Sequence, residues 1–166
     1  MKALQDRSRL VRVAVAIGVV AVAAACGSTS PGSAGTTASP AASAASGVDL
    51  EQGTAKVMSA QETVLTSPDG FTLYYLTVDT ASAPKCTGAC LTNWVPLLSK
   101  GNASSMVPLS GTLTVSMNAN GDQVAYNGHL LYTFAGDKAK GDATGEGLQA
   151  FGGDWKVATP SLTTAG

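Results

Sequence analysis

Gly70-Phe71-Thr72-Leu73-Tyr74-Tyr75-Leu76-Thr77-Val78-Asp79 and Gly128-His129-Leu130-Leu131-Tyr132-Thr133-Phe134-Ala135-Gly136-Asp137 are one pattern written twice. At a constant offset of 58, Gly70 matches Gly128, Leu73 matches Leu131, Tyr74 matches Tyr132 and Asp79 matches Asp137. Self-similarity at a fixed spacing marks a structural unit used more than once. Side chains alternate along a strand, so Tyr74 and Leu76 share a face, as do Tyr132 and Phe134. Each copy later reaches a tryptophan, Trp94 or Trp155, and the two spacings differ by three residues, which a variable loop absorbs.

The turn chemistry around the repeat is that of hairpins. Asn127-Gly128 separates two short β-like runs, Gln123 to Tyr126 and His129 to Phe134. Both central residues of a type I′ turn need positive φ, which makes Asn-Gly a strong hairpin signal. Asp69-Gly70 holds the same place in the first copy, after Thr63 to Thr66, and Asn120-Gly121 follows the alternating run Leu113 to Met117. These signals predict strands near 62–67, 71–78, 93–98, 112–118, 122–126, 129–135 and 154–158, with one short helical turn near 86–93. The expected fold is all-β: a small sandwich or barrel built from two pseudo-repeats of antiparallel strands, repeat 1 about 62–98 and repeat 2 about 121–158. Tyr74, Tyr132 and Phe134 then form a shared core that Trp94 and Trp155 cover, each indole N–H needing an acceptor.

Outside the repeats the composition changes. Lys2, Arg7, Arg9 and Arg12 precede an apolar run from Val13 to Ala25, then Cys26. A basic segment, a short apolar segment and small residues before a cut describe a secretory signal over 1–25. Ala23-Ala24-Ala25-Cys26 extends this to a lipidation site, with Cys26 acylated and anchoring the chain to a membrane. An acyl chain contributes about 0.8 kcal/mol for each methylene it buries. Residues 27–47 contain only Gly, Ser, Thr, Pro and Ala, which cannot build a core. With Cys26 they read as a disordered tether over 26–47, reaching roughly 25 Å. The domain is then 48–166. Its aromatic residues all lie between Phe71 and Trp155, which centres the ordered part on about 60–160.

Without the signal the chain keeps six lysines and no arginine against ten acidic residues. Nucleic-acid binding rests on Lys/Arg clusters, so no nucleic-acid partner is expected. The partners implied are a membrane, through the lipid, and an envelope ligand of unknown identity. The localisation implied is the extracytoplasmic side of a cell membrane.

The repeated residues carry a resemblance. Tyr132-Thr133-Phe134-Ala135-Gly136-Asp137 fits the pattern Tyr-x-(Phe/Trp/Tyr)-x-x-Asp in full, and Tyr74-Tyr75-Leu76-Thr77-Val78-Asp79 fits it with Leu76 in the aromatic place. The first copy continues through Cys86-Thr87-Gly88-Ala89-Cys90 to Trp94-Val95-Pro96, the second through the Gly/Asp-rich Gly141 to Gly147 to Trp155. In these features, over about 60–160, the chain resembles the bacterial secreted-repeat lipoproteins. The resemblance implies the fold and the location; it supplies no biochemical role.

Candidate chemistry is sparse. Cys86 and Cys90 are four residues apart, and in a helical turn their Cα atoms lie about 6 Å apart, within disulfide range. Outside the cytoplasm they read as a structural clip; a redox pair, metal ligands or idle thiols are the other readings. Redox sites of the thioredoxin kind use Cys-x-x-Cys and haem attachment uses Cys-x-x-Cys-His, and neither occurs here. His129, the one histidine, stands beside the Asn-Gly turn where the first copy has Phe71. It reads as a strand residue at the sheet margin, or as a soft-metal ligand with the cysteines or Met117. Asp137, Asp142, Glu146 and Asp154 along the Gly-rich loop are oxygen donors for calcium or ordinary turn residues. Asp79 and Asp137 are expected to cap turns by accepting backbone N–H bonds. No Gly-x-Ser-x-Gly, dinucleotide loop or catalytic set is present. The expectation is a non-enzymatic envelope module with no cofactor, metal binding left open. The alternative is an extracytoplasmic electron-transfer or copper-related protein built on Cys86, Cys90 and His129; a carboxylate hydrolase is a weaker third.

Overall fold

The computed structural model describes residues 47–166. The signal, the proposed lipidation site at Cys26 and nearly all of the tether lie outside the described residues. Eleven strands and one 3-10 turn follow in order: β1 (Val48–Val57), β2 (Ala60–Thr66), β3 (Leu73–Leu76), the turn η1 (Gly88–Thr92), β4 (Trp94–Pro96), β5 (Ala103–Ser105), β6 (Leu113–Asn118), β7 (Gly121–Tyr126), β8 (His129–Leu130), β9 (Tyr132–Phe134), β10 (Gln149–Ala150) and β11 (Gly153–Val157). They form a five-stranded sheet ordered β10-β11-β3-β9-β4 and two three-stranded sheets, β2-β1-β5 and β6-β7-β8. The all-β expectation and the single short helical turn hold.

The repeats are interlocked. Strands β3 and β9, which carry the motif tyrosines, pair antiparallel with Tyr74 opposite Tyr132. The tryptophan strand of each copy pairs with the motif strand of the other: Trp94 stands opposite Phe134, and Trp155 opposite Leu76. Phe134 and Leu76 are equivalent positions, so the sheet repeats itself about a pseudo-twofold axis between the tyrosines.

Alternation then buries β3 on both faces. Tyr74 and Leu76 join Leu130, Tyr132, Trp94, Trp155, Cys86 and Cys90 in one apolar cluster. Leu73 joins Leu50, Leu65, Val124, Tyr126 and Leu131 in another. Covering both faces removes a large fraction of the apolar surface from water, at about 25 cal/mol per Å².

Several local expectations are corrected. Asn127-Gly128 makes the predicted turn, with φ of 51° and 85°. At the equivalent place Asp69-Gly70 does not: Gly70 N–H donates to the Ser67 carbonyl at 2.8 Å, so Pro68 and Asp69 are the central residues. Proline holds φ near −65°, which excludes a primed turn, and Gly70 follows with φ of 81°. Between β6 and β7 the pairing of Asn118 with Gly121 makes Ala119-Asn120 the linker, not Asn120-Gly121. The expected strand 129–135 breaks at Leu131, whose N–H donates to the Val124 carbonyl while its own carbonyl accepts from Leu97 N–H. There the chain leaves one sheet for another. The expected strands at 71–78 and 93–98 shorten to β3 and β4.

Three strands had no sequence signal assigned: β1, β5 and β10. β1 lies outside the expected ordered centre of 60–160, and it pairs with β5 in parallel, a departure from the antiparallel expectation. Its exposed residues are charged and polar, and its buried ones change face along the strand: Leu50 joins one apolar cluster, Ala55 and Val57 the other.

Candidate functional site

The motif residues come together in the buried core, and they do so across the repeats. Tyr74 Oη donates to Asp137 Oδ2 at 2.8 Å, and Tyr132 Oη donates to Asp79 Oδ2 at 2.7 Å. Each tyrosine therefore serves the aspartate of the other copy. All four side chains are buried. Burial first, then the hydrogen bond and the negative charge of the partner carboxylate, push both phenols far above the ordinary tyrosine range.

The second oxygen of each aspartate holds a loop. Asp79 Oδ1 accepts from Lys85 N–H at 2.6 Å and Cys86 N–H at 3.4 Å. Asp137 Oδ1 accepts from Thr144 N–H at 3.0 Å and Thr144 Oγ1 at 2.6 Å. The expected turn-capping role is present, and the tyrosine bond is the part that sequence reading missed.

Between the two Tyr–Asp pairs lie the tryptophans. Trp94 and Trp155 are stacked with ring centroids 3.6 Å apart and planes 3° from parallel. Tyr74 meets Trp94 edge-on at 5.4 Å, and Tyr132 meets Trp155 edge-on at 5.2 Å. Phe134, half-buried, stacks on Trp94 at 4.3 Å. Gly145 closes the packing on one side: a Cβ there would lie 2.7 Å from the Trp94 ring and 3.0 Å from Tyr74, so only glycine fits without displacement. Its N–H donates to Tyr74 Oη at 3.3 Å. The expectation that each indole N–H finds an acceptor fails at Trp155, whose Nε1 is buried without a hydrogen-bond partner. The near-parallel contact with Trp94 orients the ring by stacking, not by that N–H.

Cys86 and Cys90 form a disulfide with Cα atoms 5.3 Å apart. Both are fully buried. Exchange requires a thiolate to reach a sulfur, and these sulfurs are withdrawn from solvent. As they are joined to each other, they do not gather with His129. His129 instead lies across Tyr75, ring centroids 4.4 Å apart, with Nε2 3.1 Å from the Thr163 carbonyl. Burial lowers its pKa, and the Thr163 contact offsets part of the shift. Met117 is exposed on β6.

The loop carboxylates are likewise spent separately. Asp142 Oδ2 accepts from Lys138 and Ala139 N–H, both at 2.8 Å, which lowers its pKa. Glu146 pairs with Lys156 Nζ at 3.1 Å and accepts from Val157 N–H at 2.7 Å. Asp154 stands apart in the β10–β11 hairpin. Among the described residues no three His, Cys, Asp or Glu side chains are grouped to hold a metal ion, so the calcium set is not assembled.

The outer surface offers a different kind of feature. An open cleft of about 430 Å³ is lined by Gln149, Ala150, Gly152, Gly153 and Asp154. At its hairpin tip Phe151 has φ of 56° and a partly exposed ring; Met58, at the β1–β2 tip, has φ of 54° and is also exposed. Both are the first central residue of a two-residue hairpin, where the turn requires positive φ, and both side chains project outward from the tip.

These observations define a class: an all-β module whose repeated motif builds its own interlocked core. The chain matches, over residues 57–98 and 114–159, the family Lipoprotein_15, a secreted repeat of unknown function. It belongs to that family, and the two matched segments are the two interlocked copies. No curated protein and no solved structure matches the chain. Among the described residues no helix is long and apolar enough to cross a membrane.

Proposed function

We propose that this protein is a non-enzymatic, membrane-tethered binding module of the cell envelope. One observation carries the reading: the motif residues of both repeats satisfy one another in a closed, buried core, so the motif itself is spent on structure. The motif is scaffold, and loops and hairpin tips are what it presents. The anchor comes from the sequence, where Cys26 follows a short apolar segment and a Gly/Ser/Thr/Pro/Ala tether leads to β1. Such a tether fixes the module near the surface while leaving it room to engage a partner. The contact surface is the cleft at Gln149–Asp154 with Phe151 at its rim, taking an envelope protein or polymer as ligand. No cofactor is required.

The test has two arms. Cys26→Ser should move the folded protein from the membrane fraction to the soluble extracytoplasmic fraction; if it stays in the membrane fraction, the anchor is wrong. A photo-crosslinking residue at position 151 should capture one defined envelope component in living cells, and Phe151→Asp should abolish contact by the same module crosslinked from position 149. A pattern of adducts no different from that of a crosslinker on an unrelated exposed strand would refute the contact surface.

The redox alternative loses its main support. A fully buried disulfide, with Cys86 N–H tied to Asp79, is arranged as a loop clip.

A further inference from the structure

The core contains an arrangement that packing alone does not account for. Tyr74, Trp94, Trp155 and Tyr132 form an unbroken series of ring contacts at 5.4, 3.6 and 5.2 Å. At each end the phenol proton points at a carboxylate oxygen, 2.8 Å away at Asp137 and 2.7 Å at Asp79. The indole pair is stacked face over face, within 3° of parallel. Neutral aromatic pairs favour offset or edge-to-face contact, because the quadrupoles of a direct sandwich repel. A sandwich is, however, the arrangement in which two rings best share a single positive charge. Indole and phenol are also the side chains of this core most easily oxidised by one electron. A phenol loses its electron readily only when its proton has somewhere to go, and a carboxylate in contact supplies that place.

We propose that this core is a one-electron relay: the stacked indoles take up an oxidising equivalent, and the two Tyr–Asp pairs hold it. The oxidant is a one-electron oxidant reaching the envelope surface, such as a peroxyl-type radical. It gains one electron from the Trp94–Trp155 pair, by way of the half-buried Phe134 ring that lies over Trp94. The indole radical cation then gains one electron from Tyr74 or Tyr132. The phenol proton moves to Asp137 Oδ2 or Asp79 Oδ2, leaving a neutral tyrosyl radical and a neutral carboxyl group. A small thiol or quinol outside returns one electron, and the proton goes back from aspartate to phenolate. Charge stays balanced inside the core throughout the tyrosine step, which matters where buried charge is costly. Two equivalent ends give the relay two holding sites. The inference stands apart from the binding reading, because it uses buried residues and that reading uses the hairpin tips.

The test is flash photolysis of the full chain with a ruthenium polypyridyl photo-oxidant and persulfate, followed by optical transients and electron paramagnetic resonance of frozen samples. The expected result is a transient indole radical that decays into a tyrosyl signal, with the second step slowed in deuterated water. Tyr74→Phe with Tyr132→Phe should abolish the tyrosyl signal and prolong the indole radical. Tyr75→Phe and Tyr126→Phe should leave the tyrosyl signal in place. The wild-type isotope effect needs no variant, so a misfolded double mutant does not stall the test. A tyrosyl signal that survives the double substitution or depends on Tyr75 or Tyr126 would overturn the proposal. So would an indole radical with no tyrosyl successor, or a second step unchanged in deuterated water.

Discussion

The two loops that follow the motif aspartates perform one task by different means. Each carries the chain from Asp79 or Asp137, past the opposite repeat's tyrosine, to a tryptophan strand. In the first, Asp79 binds the start of the loop and the Cys86–Cys90 disulfide closes it around η1. In the second there is no cysteine. Asp137 holds Thr144, Asp142 ties back to Lys138 and Ala139, and Glu146 clamps Lys156 and Val157. Cys86 and Thr144 are equivalent, each seven residues beyond its aspartate and each bonded to it. A covalent clip and a set of charge-assisted bonds are therefore interchangeable here. What both loops keep is the Tyr–Asp bond and the stacked indole, so these are the demands of the core.

The comparison can be pressed first at what the halves share. Trp94→Ala and Trp155→Ala should each cost about 3–5 kcal/mol, the range for a large buried aromatic. Chemical denaturation checks this, and a loss below about 1 kcal/mol at either site would show that the indoles are not equivalent supports. Asp137→Ala and Asp79→Ala come next. Each leaves a buried phenol and a loop N–H without an acceptor, for about 3 kcal/mol. If only one of them matters, the pseudo-twofold description of the core fails.

Cys86→Ala with Cys90→Ala should cost about 2 kcal/mol, since the closed loop is short. A reducing agent should lower the thermal midpoint of the wild type in the same sense only after prolonged incubation, because the bridge is buried. At neutral pH a further effect is silent, and it concerns protons. The phenols of Tyr74 and Tyr132 are raised above the ordinary value of 10.0. Folded chains then keep protons that unfolded chains lose, so stability is full below pH 10 and falls above it. The slope is about 1.4 kcal/mol per pH unit for each tyrosine. Ultraviolet titration should show these two phenols ionising only as the protein unfolds. The least effect is at His129, whose lowered pKa makes stability fall as pH drops below 6.5. A chemical-shift titration of its ring checks the direction.

Much of this fold is legible in the sequence because it is local. Asn127-Gly128, the alternation in 113–117 and the Tyr-x-(aromatic)-x-x-Asp spacing each act over a few residues. Strand β1 was not legible, because its exposed residues are charged and polar and its buried ones, Leu50 and then Ala55 and Val57, do not keep one period-two register. The cross-pairing of the repeats is invisible for another reason. Two equivalent tyrosines and two equivalent aspartates leave open which serves which, and only three-dimensional register decides it. The short η1 turn and the disulfide followed from spacing. The Asp69-Gly70 linker misled because Pro68 overrode the glycine, and Leu131 ended a strand that its own residues favour.

The exchange of partners between the halves also bears on how such a chain arises. A single repeat would have its tyrosine, its aspartate and its tryptophan strand all facing positions that it does not itself contain. It could close its core only by meeting a second copy, as a symmetric dimer whose population depends on concentration. Joining two copies end to end makes that meeting intramolecular, at a local concentration set by the linker between Trp94 and Leu113. A single molecule then stays folded however dilute the protein is. The two copies hold each other at the Tyr–Asp bonds and the stacked indoles, and outside those contacts they differ, one loop closed by a disulfide and the other by hydrogen bonds.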